Sequence, residues 1–162
     1  MRSPRLPNPW GIVTAGRRVP AAFRYYERDP VLLARHTAFW LLRQVTPVAM
    51  VEGDGMRYLV RTDDVLGLRL WVSRHFEQDL MASALEFAGG VEGRTFVDVG
   101  ANLGTSTIPA LKVFGADRVV AFEPMPSNCE LLRCNLVLNG VEDRVDVHQV
   151  AVSDHDGTEL ME

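Results

Sequence analysis

Phe96-Val-Asp-Val-Gly-Ala-Asn-Leu-Gly104, followed by Val119-Val-Ala-Phe-Glu-Pro124, decides the fold of this chain of 162 residues. Phe96, Val97 and Val99 form the continuous apolar run of a buried parallel strand, which delivers Asp98 and Gly100 to its carboxyl end. A glycine-bearing loop and a helix start come next, and the second apolar run ends on Glu123. Ligands of open parallel sheets sit at the carboxyl ends of the strands. The two stretches therefore predict a pocket floored by a loop and walled by a carboxylate.

Around this centre the pattern alternates: strand 95–99, helix about 104–114, strand 118–122, helix about 128–138, strand 145–152. Short connections in that order imply right-handed crossovers and a parallel sheet. Pro109 disfavours helical geometry at Ile108 and predicts a distorted early turn in the first of these helices. For the second, Ser127-Asn-Cys-Glu130 reads as a capping box behind Pro126, with Asn139-Gly140 as the stop signal. Its expected inward stripe is Leu131, Leu132, Leu136 and Leu138, with Cys134 or Asn135 nearby.

Upstream, Phe76 to Ala88 carries Phe76, Leu80, Ala84 and Ala88 at four-residue steps, Glu77 and Asp79 near its start and Gly89-Gly90 at its end, which specifies a helix. Val48–Val51 and Met56–Val60 flank Glu-Gly-Asp-Gly55, a hairpin signal. Val31 to Val45 is apolar nearly all round, as in a helix packed against a body or partner. Residues 1–30, with their prolines and scattered arginines, read as an irregular arm. The expected organisation is an extension over 1–75 (arm, helix, hairpin) and the N-terminal portion of a nucleotide-binding domain over 76–162.

Glycine spacing narrows the ligand. A dinucleotide fingerprint needs Gly at its first, third and sixth positions, so that a pyrophosphate rests on the helix N-terminus. Here the third position is Asn102, and Asp98 stands before the first glycine, where a carboxylate repels pyrophosphate but supports a cationic aminoacyl group. The pattern favours S-adenosyl-L-methionine over NAD. The expected contacts are Asp98, the loop Gly100, Ala101, Asn102 and Gly104, the amide of Thr105 at the helix start, Glu123 on the ribose hydroxyls, and Ala151 and Val152 bordering the adenine.

The net charge of −4 conceals an asymmetry: residues 1–45 hold eight Arg against Glu27 and Asp29, net +6, and the rest holds nine cations against nineteen acids, net −10. The acidic part lacks the electrostatic footprint of a nucleic-acid binder. Hydrophobic residues make up 47% of the chain, enough for a packed core. Cys129 and Cys134 do not share a helix face, so they read as buried or half-buried thiols of a reducing compartment. Neither a signal peptide nor a membrane span is expected, because Arg35, His36 and Arg43 interrupt the most apolar window. These features predict a cytoplasmic protein. His36, His75, His148 and His155 show no ligand spacing with the cysteines, so no metal site is expected, and His148 and His155 read as structural or solvated rather than catalytic.

Taken together, the 96–104 loop, Ala121-Phe-Glu-Pro124, Asn128 through Leu-Arg-Cys-Asn-Leu-Val-Leu-Asn-Gly140, Ala151-Val-Ser-Asp154 and Asp156-Gly157 resemble FkbM-type methyltransferases, over roughly residues 75–162. The resemblance implies a Rossmann-like class I methyltransferase sheet, here expected to stop after its third strand. It also implies S-adenosyl-L-methionine as cofactor and methyl transfer to a hydroxyl of a small molecule or sugar. Such a truncated domain would leave its first strand as an apolar, unpaired edge. A non-catalytic cofactor-binding remnant or interaction module is the alternative, and an NAD-dependent oxidoreductase a more distant one.

Overall fold

The computed structural model describes residues 29–75 and 78–158. The expected arm, and Phe76 and Glu77 of the expected helix, lie outside them. In chain order the elements are α1 (Pro30–Leu42), β1 (Val48–Gly53), β2 (Met56–Arg61), α2 (Val65–Ser73), α3 (Gln78–Phe87), β3 (Thr95–Val99), α4 (Thr107–Lys112), β4 (Arg118–Phe122), α5 (Pro126–Asn139), a 3-10 turn (Glu142–Arg144) and β5 (Val145–His148).

Strands β3, β4 and β5 form a parallel sheet in that spatial order, with Phe96 beside Val119, Asp98 beside Ala121 and Val119 beside Val145. Because side chains alternate along a strand, this register places Phe96, Asp98, Val119, Ala121, Val145 and Val147 on one face. Helices α4 and α5 cover that face, and its centre, Val119 and Ala121, is fully buried. The opposite face carries Val97 and Val99, which are 57% and 61% exposed on the edge strand, as expected of an uncovered first strand.

The helices differ from expectation in instructive ways. Helix α4 begins at Thr107 rather than near residue 104, because Gly104 takes φ +90°, a conformation no right-handed helix contains. Pro109 then falls in the first turn, where its missing N–H would have had no intrahelical partner. Helix α5 is entered through Met125, not through a Ser127 capping box: Pro126 takes the first helical position, and Ser127 lies inside the turn with no capping bond. The carboxylate of Glu123 holds the entry residue instead, accepting the Met125 N–H at 2.9 Å. Gly140, at φ 63°, closes the helix as expected.

The buried stripe of α5 is Cys129, Leu132, Asn135 and Leu136, so Asn135 faces inward, whereas Leu138 and Cys134 lie at the surface. Along α3 the four-residue series Leu80, Ala84 and Ala88 is exposed, and Met81 and Leu85 pack on the core. Strand β5 ends at His148, and residues 149–158 are irregular and exposed, which shortens the expected strand 145–152 by half.

The N-terminal unit contains the expected hairpin, whose turn residues Asp54 and Gly55 both take positive φ, at 52° and 73°. It also contains α2, which packs on α1 and on β2: the Phe39 and Trp71 rings lie 5.9 Å apart, and Trp71 Nε1 donates to the Arg35 carbonyl. The hairpin lies on α5 and shares one continuous core with the sheet, running from Val51, Tyr58 and Val60 to Leu103, Ile108, Val119 and Leu132.

Candidate active site

The loop after β3 is built by backbone geometry before any side chain contributes. Gly100, Asn102 and Gly104 alternate in left-handed conformations at φ 81°, 50° and 90°. Glycine adopts these without penalty, and Asn tolerates them better than other residues. A methyl group on Gly104 would lie 2.8 Å from Leu132 Cδ1 and 3.3 Å from Ile108 Cδ1, so this glycine is required for packing. One on Gly100 would meet nothing within 4 Å, which leaves a cradle above the loop that a ligand can occupy.

The loop is pinned to the neighbouring strand's end. Gly100 and Ala101 both donate to the Phe122 carbonyl, at 2.9 and 3.0 Å, and Gly104 donates to Ala101. Asn102 donates its N–H to Glu123 Oε2 at 2.9 Å. The other oxygen of Glu123 accepts from Met125 N and from Asn128 Nδ2, and Glu123 is only 4% exposed. Glu123 therefore joins the glycine loop to the start of α5. Oε2 carries a single protein donor, so it retains acceptor capacity for a further hydroxyl.

Asp98 is also buried, and its Oδ2 accepts the Thr107 hydroxyl at 2.5 Å. Burial raises its pKa, the Thr107 hydrogen bonds oppose that rise, and the negative charge of Glu123 adds to it. Asp98 and Glu123 are thus two buried carboxyl groups within electrostatic range of each other.

The remaining expected contacts are placed differently. Thr105 lies in the turns before α4 rather than at the helix start, and the amides of Gly100, Ala101, Asn102 and Gly104 are engaged within the protein rather than turned outward. Ala151 and Val152 are exposed beyond the end of β5. His148 stacks on Phe122, with ring centroids 5.2 Å apart, and His155 is exposed beside Ser153 and Asp154.

Four features were missed in the sequence reading: Thr107 as the partner of Asp98, Asn128 as the partner of Glu123, the buried amide of Asn135, and a cleft of about 310 Å³ lined by Arg61, Asp63, Asp64, Asn102, Ser127 and Asn128. The last unites the hairpin's end with both loops of the sheet, a juxtaposition of segments far apart in the chain. For the asparagines a signal existed, since Asn128 and Asn135 lie two helical turns apart on one face of α5.

The first loop of the parallel sheet is thus fastened by backbone hydrogen bonds to the Phe122 carbonyl and to the Glu123 carboxylate just beyond the next strand. Residues 98–161 match the methyltransferase FkbM domain. The matched segment opens at Asp98 and takes in Glu123 and α5, while α1, the hairpin, α2 and α3 precede it. Among curated proteins, the ribosomal protein L11 methyltransferase of Alteromonas mediterranea is 39% identical over 69 residues, 41% of this chain and 23% of that protein. The chain thus spans about a quarter of the length of that relative. Among solved structures, the M. jannaschii TYW2 in complex with AdoMet gives a TM-score of 0.49 at 21% identity, over 62% of this chain and 42% of that one. An RNA methyltransferase from Salinibacter ruber in complex with S-adenosyl-L-homocysteine gives 0.42 at 30% identity, over 46% and 48%.

Proposed function

We propose that this chain carries the cofactor-binding part of a methyltransferase that uses S-adenosyl-L-methionine and transfers the methyl group to a hydroxyl oxygen of a small molecule or sugar. The observation that carries the reading is the contact between Asn102 and Glu123, which sets a carboxylate with spare acceptor capacity against a glycine loop with open space above it. The FkbM match over the same residues supports it. The cofactor supplies a methyl group on a cationic sulfur. Toward it, Glu123 accepts hydrogen bonds from ribose hydroxyls, Gly100 lets the ligand approach the backbone, and Asp98 contributes negative charge on the aminoacyl side.

A small acceptor is favoured over a polynucleotide by the net charge of −10 over residues 46–162, which disfavours a phosphate backbone. The curated relative is named for a ribosomal protein and the Salinibacter structure for RNA, so both acceptor classes belong in the assay.

Isothermal titration with S-adenosyl-L-homocysteine and with NAD decides the cofactor, the first binding and the second not. Loss of a charge-assisted hydrogen-bond pair in Glu123→Ala should weaken binding by at least about tenfold, with Glu123→Gln in between. Unchanged affinity in both variants removes Glu123 from the site, and binding of NAD alone overturns the reading. Transfer of labelled methyl to RNA, with none to hydroxylated small molecules, would reassign the acceptor.

A further inference from the structure

Helix α5 presents two asparagines to the open edge of the hairpin. Asn139 accepts the Arg57 N–H at 3.1 Å and donates to the Arg57 carbonyl at 2.7 Å. One turn earlier, Asn135 does the same with Leu59, accepting its N–H at 2.6 Å and donating to its carbonyl at 3.2 Å. Arg57 and Leu59 are alternate residues of β2, so their backbone groups point to the same side, away from β1. Each carboxamide has one acceptor and one donor group in a planar array, and so imitates the backbone of a missing neighbouring strand. The i, i+4 spacing on the helix, about 6 Å of rise, approximates the two-residue step along the strand, about 6.8 Å. The hairpin edge is thereby satisfied without a third strand.

Only one of the two goes further. Asn135 is fully buried, and its Nδ2 also donates to the carbonyl of Leu103 at 3.0 Å, inside the glycine loop. Asn139 has no such bond; its second donor contact is to Asn135 O, within its own helix.

We infer that Asn135 is a positioning residue for the cofactor loop: one carboxamide ties Leu103, between Asn102 and Gly104, to Leu59 of the N-terminal hairpin, so that the hairpin is part of the binding unit rather than an appended module. The inference rests on the proposed function for its ligand but not for its mechanics. Each left-handed residue of the loop is conformationally costly outside glycine, and a buried carbonyl left without a donor is penalised further, so the amide of Asn135 selects the loop geometry that sets the Asn102 N–H on Glu123.

The test compares the whole chain with Asn135→Ala, Asn135→Ser and Asn139→Ala, all of which loosen the hairpin contact, although only the first two remove the loop contact. Amide hydrogen exchange of Asn102 and Gly104 should accelerate in the Asn135 variants and stay at the wild-type rate in Asn139→Ala. Affinity for S-adenosyl-L-homocysteine should fall about tenfold in the Asn135 variants, the worth of one buried hydrogen bond, and by less than about twofold in Asn139→Ala. Equal effects of the Asn135 and Asn139 variants on loop exchange would overturn the inference, because a merely structural anchor moves both alike. Should the Asn135 variants not fold, native-state exchange of the wild type decides: Leu59, Asn102 and Gly104 are expected to open together as denaturant rises, and opening of Leu59 well before the loop refutes the tie. If the wild type fails to bind the nucleoside at all, the proposed function falls, while the exchange comparison still settles what Asn135 does.

Discussion

Gly100 and Gly104 share a left-handed backbone but differ in what surrounds them, and the difference separates binding from stability. At Gly104 an added methyl group strains the backbone and also presses on the buried Leu132 and Ile108, so Gly104→Ala should destabilise the chain by about 2–4 kcal/mol in urea unfolding. Gly100→Ala meets no protein atom, so its cost should be the backbone strain alone, about 1–2 kcal/mol. Its effect on cofactor affinity should be the larger of the two, since the new methyl group fills the ligand's space. Asp98 is the opposite kind of residue, one whose site costs stability. Burial first, and the Glu123 charge in addition, raise its pKa. A carboxyl group with a raised native pKa contributes stability that is complete below the unfolded value of about 3.9 and is lost as pH rises through the native value. Asp98→Asn should therefore stabilise the ligand-free chain at pH 7 and flatten the fall of its stability as pH rises above about 4, while weakening cofactor binding. Thermal unfolding across pH, with and without ligand, measures both effects.

Among the elements, α2 was the one the sequence did not disclose. Leu66, Leu68, Leu70 and Val72 also alternate with period two, and Gly67 lowers helix propensity, so the segment Val65–Ser73 is ambiguous between strand and helix despite Asp64 at its N-cap. It is helical because of its neighbours: α1 supplies Phe39 beside Trp71, and Arg35 Nη1 donates to the Val72 carbonyl. Gly67 itself is required by contact, since a methyl group there would lie 2.0 Å from the Arg61 carbonyl oxygen. Gly67→Ala, which raises helix propensity, should nevertheless cost about 3 kcal/mol, because a backbone atom has to move. Circular dichroism during urea titration checks this, and preserved stability would show that α2 can shift away from the hairpin. Strands β3 and β4, by contrast, were legible to the residue, because each is a short apolar-rich run bounded by turn residues, although Val97 and Val99 of β3 are exposed rather than buried.

At the scale of the whole molecule, the described residues cover the parallel sheet on one face only. Val97 and Val99 on the edge strand, with the Phe122–His148 stack at the far end, give an open face with apolar character. Exposed apolar edge strands promote association between chains, and an outward charge is the usual remedy. Val97→Lys should raise the concentration at which the chain remains monodisperse in light scattering, with a change in stability within about 0.5 kcal/mol, since the side chain is 57% exposed. No helix among the described residues is long and apolar enough to cross a membrane.

The sequence by itself determined the alternation of strands and helices from residue 95 to 148, the hairpin with its Asp54-Gly55 turn, and the pairing of a glycine loop with Glu123, because each is encoded within a short window by apolar period or by backbone preference. Only the tertiary structure decided that α2 is a helix, that α5 is entered through Met125 and Pro126 rather than a Ser127 cap, that β5 stops at His148, and that Asn135 reaches both Leu59 and Leu103. The helical state of α2 and the bonds of Asn135 depend on partners far apart along the chain, and a buried polar group finds its partner only when packing has brought the two together.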